Sequence, residues 1–193
     1  MTLDVDLTAN KHGIVDPDAD LVSLAIEELP YRTRAYETLI KRHERLLFRV
    51  CANLLGNNDD ALDVSQEVMV KVFKYLPRFE GRSTFKTWMM QIARNTSFTM
   101  QAKLKRQREL RDMLEHEVNV DENYSQVETH ALDIESILGD LNEQDREALT
   151  MRFIAELQFD EIADVCNISL SAAKMRVYRA TDALKKKMAA KES

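Results

Sequence analysis

The chain has 193 residues, a formal charge of −6 and 45% hydrophobic residues, which suits one or two globular domains and excludes a disordered chain. Only 4 Gly and 3 Pro punctuate it, so long helices are expected rather than many strands and turns. No apolar run approaches the ~20 residues that cross a membrane, and the N-terminus lacks the basic-then-apolar pattern of a signal peptide. A cytoplasmic protein without membrane insertion is therefore expected. Cys51 and Cys166 lie far apart without CxxC spacing and read as buried or half-buried thiols in a reducing compartment. Four scattered histidines offer no paired Cys/His spacing for a metal. Nor is there a nucleophile–base pair or a phosphate loop, so no catalytic residue, no metal and no cofactor is expected, and the chain does not read as an enzyme.

Residues 1–20 are polar and Asp-rich, with "DPDAD" as a turn and helix start; a mobile beginning is expected. Residues 21–29 suit a short helix. From Tyr36 to Leu55 the apolar residues recur at helical spacing, through Leu39, Ile40, Leu46, Leu47, Val50 and Leu54. "GNN" at 56–58 stops that helix, and Asn58 is placed to cap the next, with Asp59 and Asp60 favourable in its first turn. This second helix buries Val64, Val68, Val72 and Leu76 before Pro77 ends it. After a loop at 78–82, a long helix from about Ser83 to beyond Lys105 buries Phe85, Met89, Ile92 and Ala93. Three antiparallel helices make one compact domain. Residues 112–130 are acidic with weak periodicity and read as a linker. A second helical set begins near Ala131. Asn142 with Asp145 forms a capping pair for a helix through Phe153; "FDEIADVC" is a short helix, "NIS" a tight turn, and Leu170–Met188 a final helix. The fold class is all-α: two small helical domains joined by an acidic linker.

The overall charge conceals segregation. Residues 103–111 ("KLKRQRELR") are basic, residues 112–145 carry eleven carboxylates and no Lys or Arg, and residues 174–191 turn basic again. Two cationic surfaces joined by an acidic connector follow. The segment "LQFDEIADVCNISLSAAKMRVYRATDALKKKM" fits a helix-turn-helix. Ile162 and Val165 pack inward, Ala163 permits close approach, Ile168 fills the turn, Ser169 caps the second helix, and Val177 and Leu184 face the core. Ser171, Ala172, Lys174, Met175, Tyr178 and Arg179 are left outward, where a recognition helix reaches base edges. Arg176 and Lys185–Lys187 suit phosphates. A helical pair with a merely solvated basic face is the plainer reading.

The stretch "PRFEGRSTFKTWMMQIARNT" interleaves rings, cations and an amide. Pulling a base out of the stack costs a few kcal/mol, roughly, and stacking, edge hydrogen bonds and backbone cations offset it. Phe79 supplies a ring and Asn95 an amide for a base edge. Lys86, Arg94, Lys103, Lys105 and Arg106 attract phosphates, and Gly81 lets the backbone approach closely. Phe85 and Trp88 are read as core. Asp59, Asp60, Asp63, Gln66 and Glu67 form a polar, acidic face beside the apolar face of their helix.

Residues 141–188 resemble region four of bacterial extracytoplasmic-function (ECF) sigma factors, on "REALTMRFIAELQFDEIA", the following Ser and "KMRVYRATDAL". "DALDVSQEVMVKVFKYLPRFEGRSTFKTWMMQIARNT" resembles their region two, with its D-x-x-Q-E helix, F-x-G-x-S-x-F-x-T-W run and I-A-x-N. The two matches cover roughly 35–107 and 131–188, in order and across a linker. The resemblance implies a sigma factor with core RNA polymerase, promoter DNA and an anti-sigma factor as partners. It implies that 77–96 captures a flipped base of the −10 motif, that the second helix pair reads the −35 element, and that the acidic face docks on the clamp of the large polymerase subunit. The implied division is 1–34 as an extension, 35–111 as region two, 112–130 as linker and 131–193 as region four. The chain departs from the family at the turn before the recognition helix, which reads Ser169, Leu170, Ser171, Ala172 instead of carrying Pro and Gly-Thr, and at Met175, which replaces a small polar residue. A dimeric helix-turn-helix regulator accounts for 157–188 but leaves 77–96 without a use. A helical adaptor accounts for neither basic surface.

Overall fold

The computed structural model describes residues 15–114 and 141–191, with side chains over 15–113 and 141–189. Seven α-helices are found among these residues: α1 (Ala19–Glu28), α2 (Arg34–Leu55), α3 (Asn58–Tyr75), α4 (Phe85–Leu114), α5 (Glu143–Leu149), α6 (Phe159–Cys166) and α7 (Leu170–Lys191). No strand occurs among the described residues, as an all-α chain requires. No helix there is long and apolar enough to cross a membrane.

The first four helices form one packed unit, with α2 against α1, α3 and α4. Leu39, Leu47 and Val50 of α2, Val64, Val68 and Val72 of α3, and Phe85 and Met89 of α4 are buried at the expected spacing. Met90 is buried as well, beyond the expected stripe, and Ile92 is only partly so. Each such side chain contributes roughly 1.5–3 kcal/mol over its exposed state. Polar ties fix the register: Tyr36 Oη donates to the Met69 carbonyl at 2.5 Å, Lys71 Nζ to Thr96 Oγ1 at 3.0 Å, and Gln101 Nε2 to the Leu54 carbonyl at 2.8 Å.

Gly56 ends α2 in the left-handed conformation, φ 70°, that a side chain strains to adopt. The cap of α3 is Asn57 rather than Asn58: its side chain accepts from Asp59 N and Asp60 N at 2.8 and 3.2 Å. The glycine releases the chain one residue earlier than composition suggests, so the first of the two asparagines takes the cap.

The N-terminal residues in view are docked, contrary to the mobile beginning expected for 1–20; residues 1–14 lie outside the described part. Asp16 and Asp18 are buried. Asp16 Oδ2 accepts from Phe85 N at 2.7 Å and so caps α4 from 69 residues away. Asp18 pairs with Arg42 and, at 2.6 Å, with His43 Nε2. Burial alone raises the Asp18 carboxyl, but hydrogen bonds and charges from His43 and Arg42 outweigh it and hold it below its ordinary value. Val22 and Ala25 bring α1 into the same core.

Helix α4 runs to Leu114, so the first residues of the expected linker continue it; the rest of 115–140 lies outside the described residues, together with the expected helix start near Ala131. Asn142 caps α5, accepting from Asp145 N at 2.9 Å. The expected helix through Phe153 loosens after Leu149 into a π turn over Thr150–Ile154, closed by Ala155 N on the Thr150 carbonyl. The helix-turn-helix is as expected. Gln158 and Glu161 form a capping box on α6, Asn167 takes the left-handed turn at φ 53°, and Ser169 Oγ accepts from Ala172 N at 3.1 Å to cap α7. Both thiols are buried, and burial pushes each up to about 12; the Glu147 carboxylate adds to the rise at Cys166.

Buried side chains from both halves join one continuous core. α6 packs on α4, while α5 and the π turn pack on α2.

Candidate nucleic-acid interface

The loop 79–84 rests on an aromatic trio. The Phe79 ring lies 5.0 Å from Trp88 and 6.5 Å, edge-on, from Phe85. Phe85 is fully buried, whereas Trp88 and Phe79 are partly so. Phe85 and Trp88 therefore serve as packing, and Phe79 combines packing with an accessible ring. Gly81 sits at φ 66°, so conformation, rather than close approach alone, selects glycine there. A cleft of about 340 Å³ opens beside the trio, between Phe79, Arg82 and Trp88 on one side and Asp164 and Val165 of α6 on the other.

Asn95 is exposed nearly three turns along α4; its Oδ1 accepts from Arg94 Nη1 at 3.2 Å. The Arg94 guanidinium also lies over the Phe98 ring at 4.6 Å and pairs with Glu147 of α5. Lys86 is half-buried near the start of α4, while Lys103, Lys105 and Arg106 are exposed farther along it. α4 thus carries Asn95, Arg94 and the basic run on one rod, with Phe79 and Gly81 at its entrance.

On α7, Ser171, Lys174, Met175 and Tyr178 are exposed and Ala172 is half-buried, while Ala173, Val177 and Ala180 face the core. The Tyr178 ring leans on Phe159 at 5.9 Å. Arg179 remains half-exposed but donates from Nη2 and Nε to Asp145 Oδ1, at 2.6 and 3.0 Å. Arg176 turns inward to Glu147, 3.8 Å away. On α3, Asp59, Asp63, Gln66 and Glu67 are exposed and Asp60 is half-buried, with Glu67 paired to Lys71 at 2.7 Å. Leu62 and Val70 are also exposed on this helix, so the polar face has apolar neighbours that its charges do not reveal.

Two acidic groups were not singled out by sequence, Glu147 and Glu161, both buried, and Asp145, expected only as the capping partner of Asn142, also holds Arg179. Spacing after Gln158 marks Glu161 as a capping residue. No local pattern marks its other partners, Thr84 and Thr87, more than 70 residues away.

A helix-turn-helix with an exposed, basic outer helix, following a helical domain with an aromatic loop, defines a nucleic-acid-binding protein. The sigma-70 region 2 model matches residues 39–107 and the sigma-70 region 4 model residues 131–184. The chain is 29% identical over 169 residues to the ECF RNA polymerase sigma factor SigC of Mycobacterium tuberculosis, covering 86% of this chain and 90% of that protein. It is 24% identical over 170 residues to SigW of Bacillus subtilis, covering 80% and 89%. The solved structure of the sigma factor RpoE with the anti-sigma factor NepR from Bartonella quintana superimposes with a TM-score of 0.63 at 25% identity, covering 78% of this chain and 94% of that one. CnrH, solved with the cytosolic domain of CnrY, shares the fold at TM-score 0.66 and 22% identity. The chain belongs to the sigma-70 family of RNA polymerase sigma factors, in its ECF group.

Proposed function

We propose that this chain docks on core RNA polymerase, reads the −35 and −10 elements and promotes melting, with residues 35–111 as region two, 112–130 as linker and 131–193 as region four. The observation that carries the reading is an accessible ring in the glycine-bearing loop at the entrance of α4 together with an exposed amide on that helix: Phe79 beside Gly81, and Asn95. Phe79 stacks on the unpaired base and Asn95 bonds its edge, while Lys86, Arg94, Lys103, Lys105 and Arg106 hold the backbone. Ser171, Ala172, Lys174, Met175, Tyr178 and Arg179 face the −35 duplex, and Arg176 positions it through phosphate. Asp59, Asp60, Asp63, Gln66 and Glu67 steer docking on the polymerase. The chain acts as an initiation factor without a reaction of its own, in the cytoplasm. An anti-sigma factor is a further partner, supported by the likeness to RpoE, which was solved with NepR.

The test is reconstitution with core polymerase and promoter DNA. The chain is expected to need core for tight, specific duplex binding; tight duplex binding alone indicates a free-standing regulator. Asp63→Lys with Glu67→Lys is expected to weaken core affinity by roughly 1–2 kcal/mol, about five- to thirtyfold, with helicity unchanged. An unchanged titration removes this face from the interface.

A further inference from the structure

Two carboxylates from the C-terminal half sit on α4 where an anion is favoured. Glu161 accepts from Thr87 Oγ1 in the first turn of α4 and, at 3.4 Å, from Thr84 Oγ1 just before it, where the helix dipole is positive. Glu147 pairs with Arg94, two turns farther along, and its second oxygen faces Arg176 of α7. Both side chains are buried, Glu147 with only 3% of its side chain exposed. Arg94 and Arg176 retain 22% and 27%. Gln91 adds a longer bond, Nε2 to the Asp164 carbonyl at 3.4 Å.

We infer that Glu147 and Glu161 take the place of nucleic-acid phosphates on α4, so that the closed packing of the two halves and the binding of single-stranded DNA exclude one another. This rests on the assignment of α4 to DNA. Residues seven to ten apart on a helix lie about 10–15 Å apart along its axis, so the Thr84/Thr87 turn and Arg94 together describe a track that a strand backbone can follow. Closure adds Arg94 to a carboxylate that Arg176 of its own half already faces, so one carboxylate holds a cation from each DNA-reading helix. It also sets Asp164 and Val165 as one wall of the cleft beside Phe79 and Trp88. A buried charged pair separates at low cost only when another opposite charge replaces the partner. A DNA phosphate supplies that charge to Arg94, and water reaches Glu147 once the halves part.

Trp88 is the sole tryptophan and lines the cleft that α6 walls on its other side, so its emission reports parting of the halves. The experiment compares the full-length chain with Glu147→Gln, Glu161→Gln and Thr87→Val. The two Gln variants keep the shape of the side chain, and Thr87→Val weakens the same contact while leaving the C-terminal half untouched. A fluorescein-labelled single-stranded deoxythymidine 20-mer serves as probe, with anisotropy, Trp88 emission and hydrodynamic radius read on each protein. For the two Gln variants the expected result is a shifted emission, a larger radius and up to roughly tenfold tighter binding, the gain set by the fraction of chain released from the closed form; Thr87→Val, which also removes a hydroxyl of the proposed track, is expected to shift emission and radius without that gain. Unchanged emission, radius and affinity in all three variants overturn the latch. The assignment of α4 to DNA survives that outcome if Arg94→Ala still lowers polymerase-dependent promoter opening. Shifted emission and radius with unchanged affinity in the two Gln variants overturn the competition and that assignment together.

Discussion

The two helices assigned to promoter DNA, α4 and α7, are held in opposite ways. α7 is prepared by its immediate neighbours: Asn167 turns the chain, Ser169 caps three residues on, and the Gln158/Glu161 box fixes the helix before it. α4 is prepared from afar. Asp16 caps it, Phe79 and Trp88 brace its entrance, and Glu161 bonds its first turn from the other half of the molecule. Duplex reading needs a rigid helix at a fixed angle, which a local cap and turn supply. Base capture needs a loop and a helix held in one geometry, and several long-range contacts converge on that joint.

The largest expected effect tests the long-range side of this contrast. Phe79→Ala and Asn95→Ala are expected to retain core binding and −35 recognition yet open linear promoter DNA one to two orders of magnitude less, since stacking is worth roughly 1–3 kcal/mol per base. A template pre-melted across the −10 region is expected to restore much of the loss. Open-complex formation on duplex and mismatched templates is the measurement. Equal defects on both reduce these residues to packing, a role Phe79 already has against Trp88 and Phe85.

A smaller effect sharpens the local side. Lys174 is solvent-exposed, whereas Arg179 is bound to the buried Asp145. Lys174→Ala is expected to reduce transcription from promoters with an intact −35 element about tenfold, within the roughly 1–3 kcal/mol of a base contact. Arg179→Ala is expected to lower both transcription and thermal stability, because the buried Asp145 loses its cationic partner and keeps only the Asn142 amide. Arg176→Ala is expected to weaken binding evenly across sequences and shallow the salt slope by about one. Promoter-variant transcription beside a melting curve separates the three. One common profile collapses the division between reading and positioning.

Legibility followed the same divide. The helix-turn-helix was readable almost residue by residue, because its caps, turn and apolar stripe all act within a few positions of sequence. The helices of the N-terminal half were readable from their periodicity, and Gly56 and Pro77 marked their ends. Docked acids were not. "DPDAD" has the composition of a turn, and nothing in it distinguishes a solvated Asp16 from one that caps a helix 69 residues on. Glu147 likewise reads as one charge on a short amphipathic helix. Its burial arises only when α4 and α7 bring arginines to it. The π turn after Leu149 also escaped the periodic pattern, since "TMRFI" carries neither Gly nor Pro.

The smallest expected effect tests whether the acidic N-terminal segment is a working part of this long-range support. Asp18 joins α1 to α2 through Arg42 and His43 and is itself buried, while the Arg42 side chain is 51% exposed. Water therefore screens much of the pairing, and Asp18→Asn is expected to cost about 1 kcal/mol, or roughly 2–4 °C in melting temperature for a chain of this size. The pH dependence has a definite sign. The folded-state value of Asp18 lies below the ordinary 3.8, so the unfolded chain takes up the proton first as pH falls. The stabilisation is complete above that ordinary value and is lost as pH drops through the lower folded-state one. The Asn variant has no such carboxylate to protonate. Melting temperatures of the two proteins are therefore expected to differ by a constant amount at neutral pH and to converge below about pH 4. Melting curves in matched buffers from neutral to acid pH measure this directly. A gap that persists unchanged into acid would mean that shape and hydrogen bonding, rather than charge, hold α1 to α2, and that the segment before α1 is fixed by packing like the rest of the core.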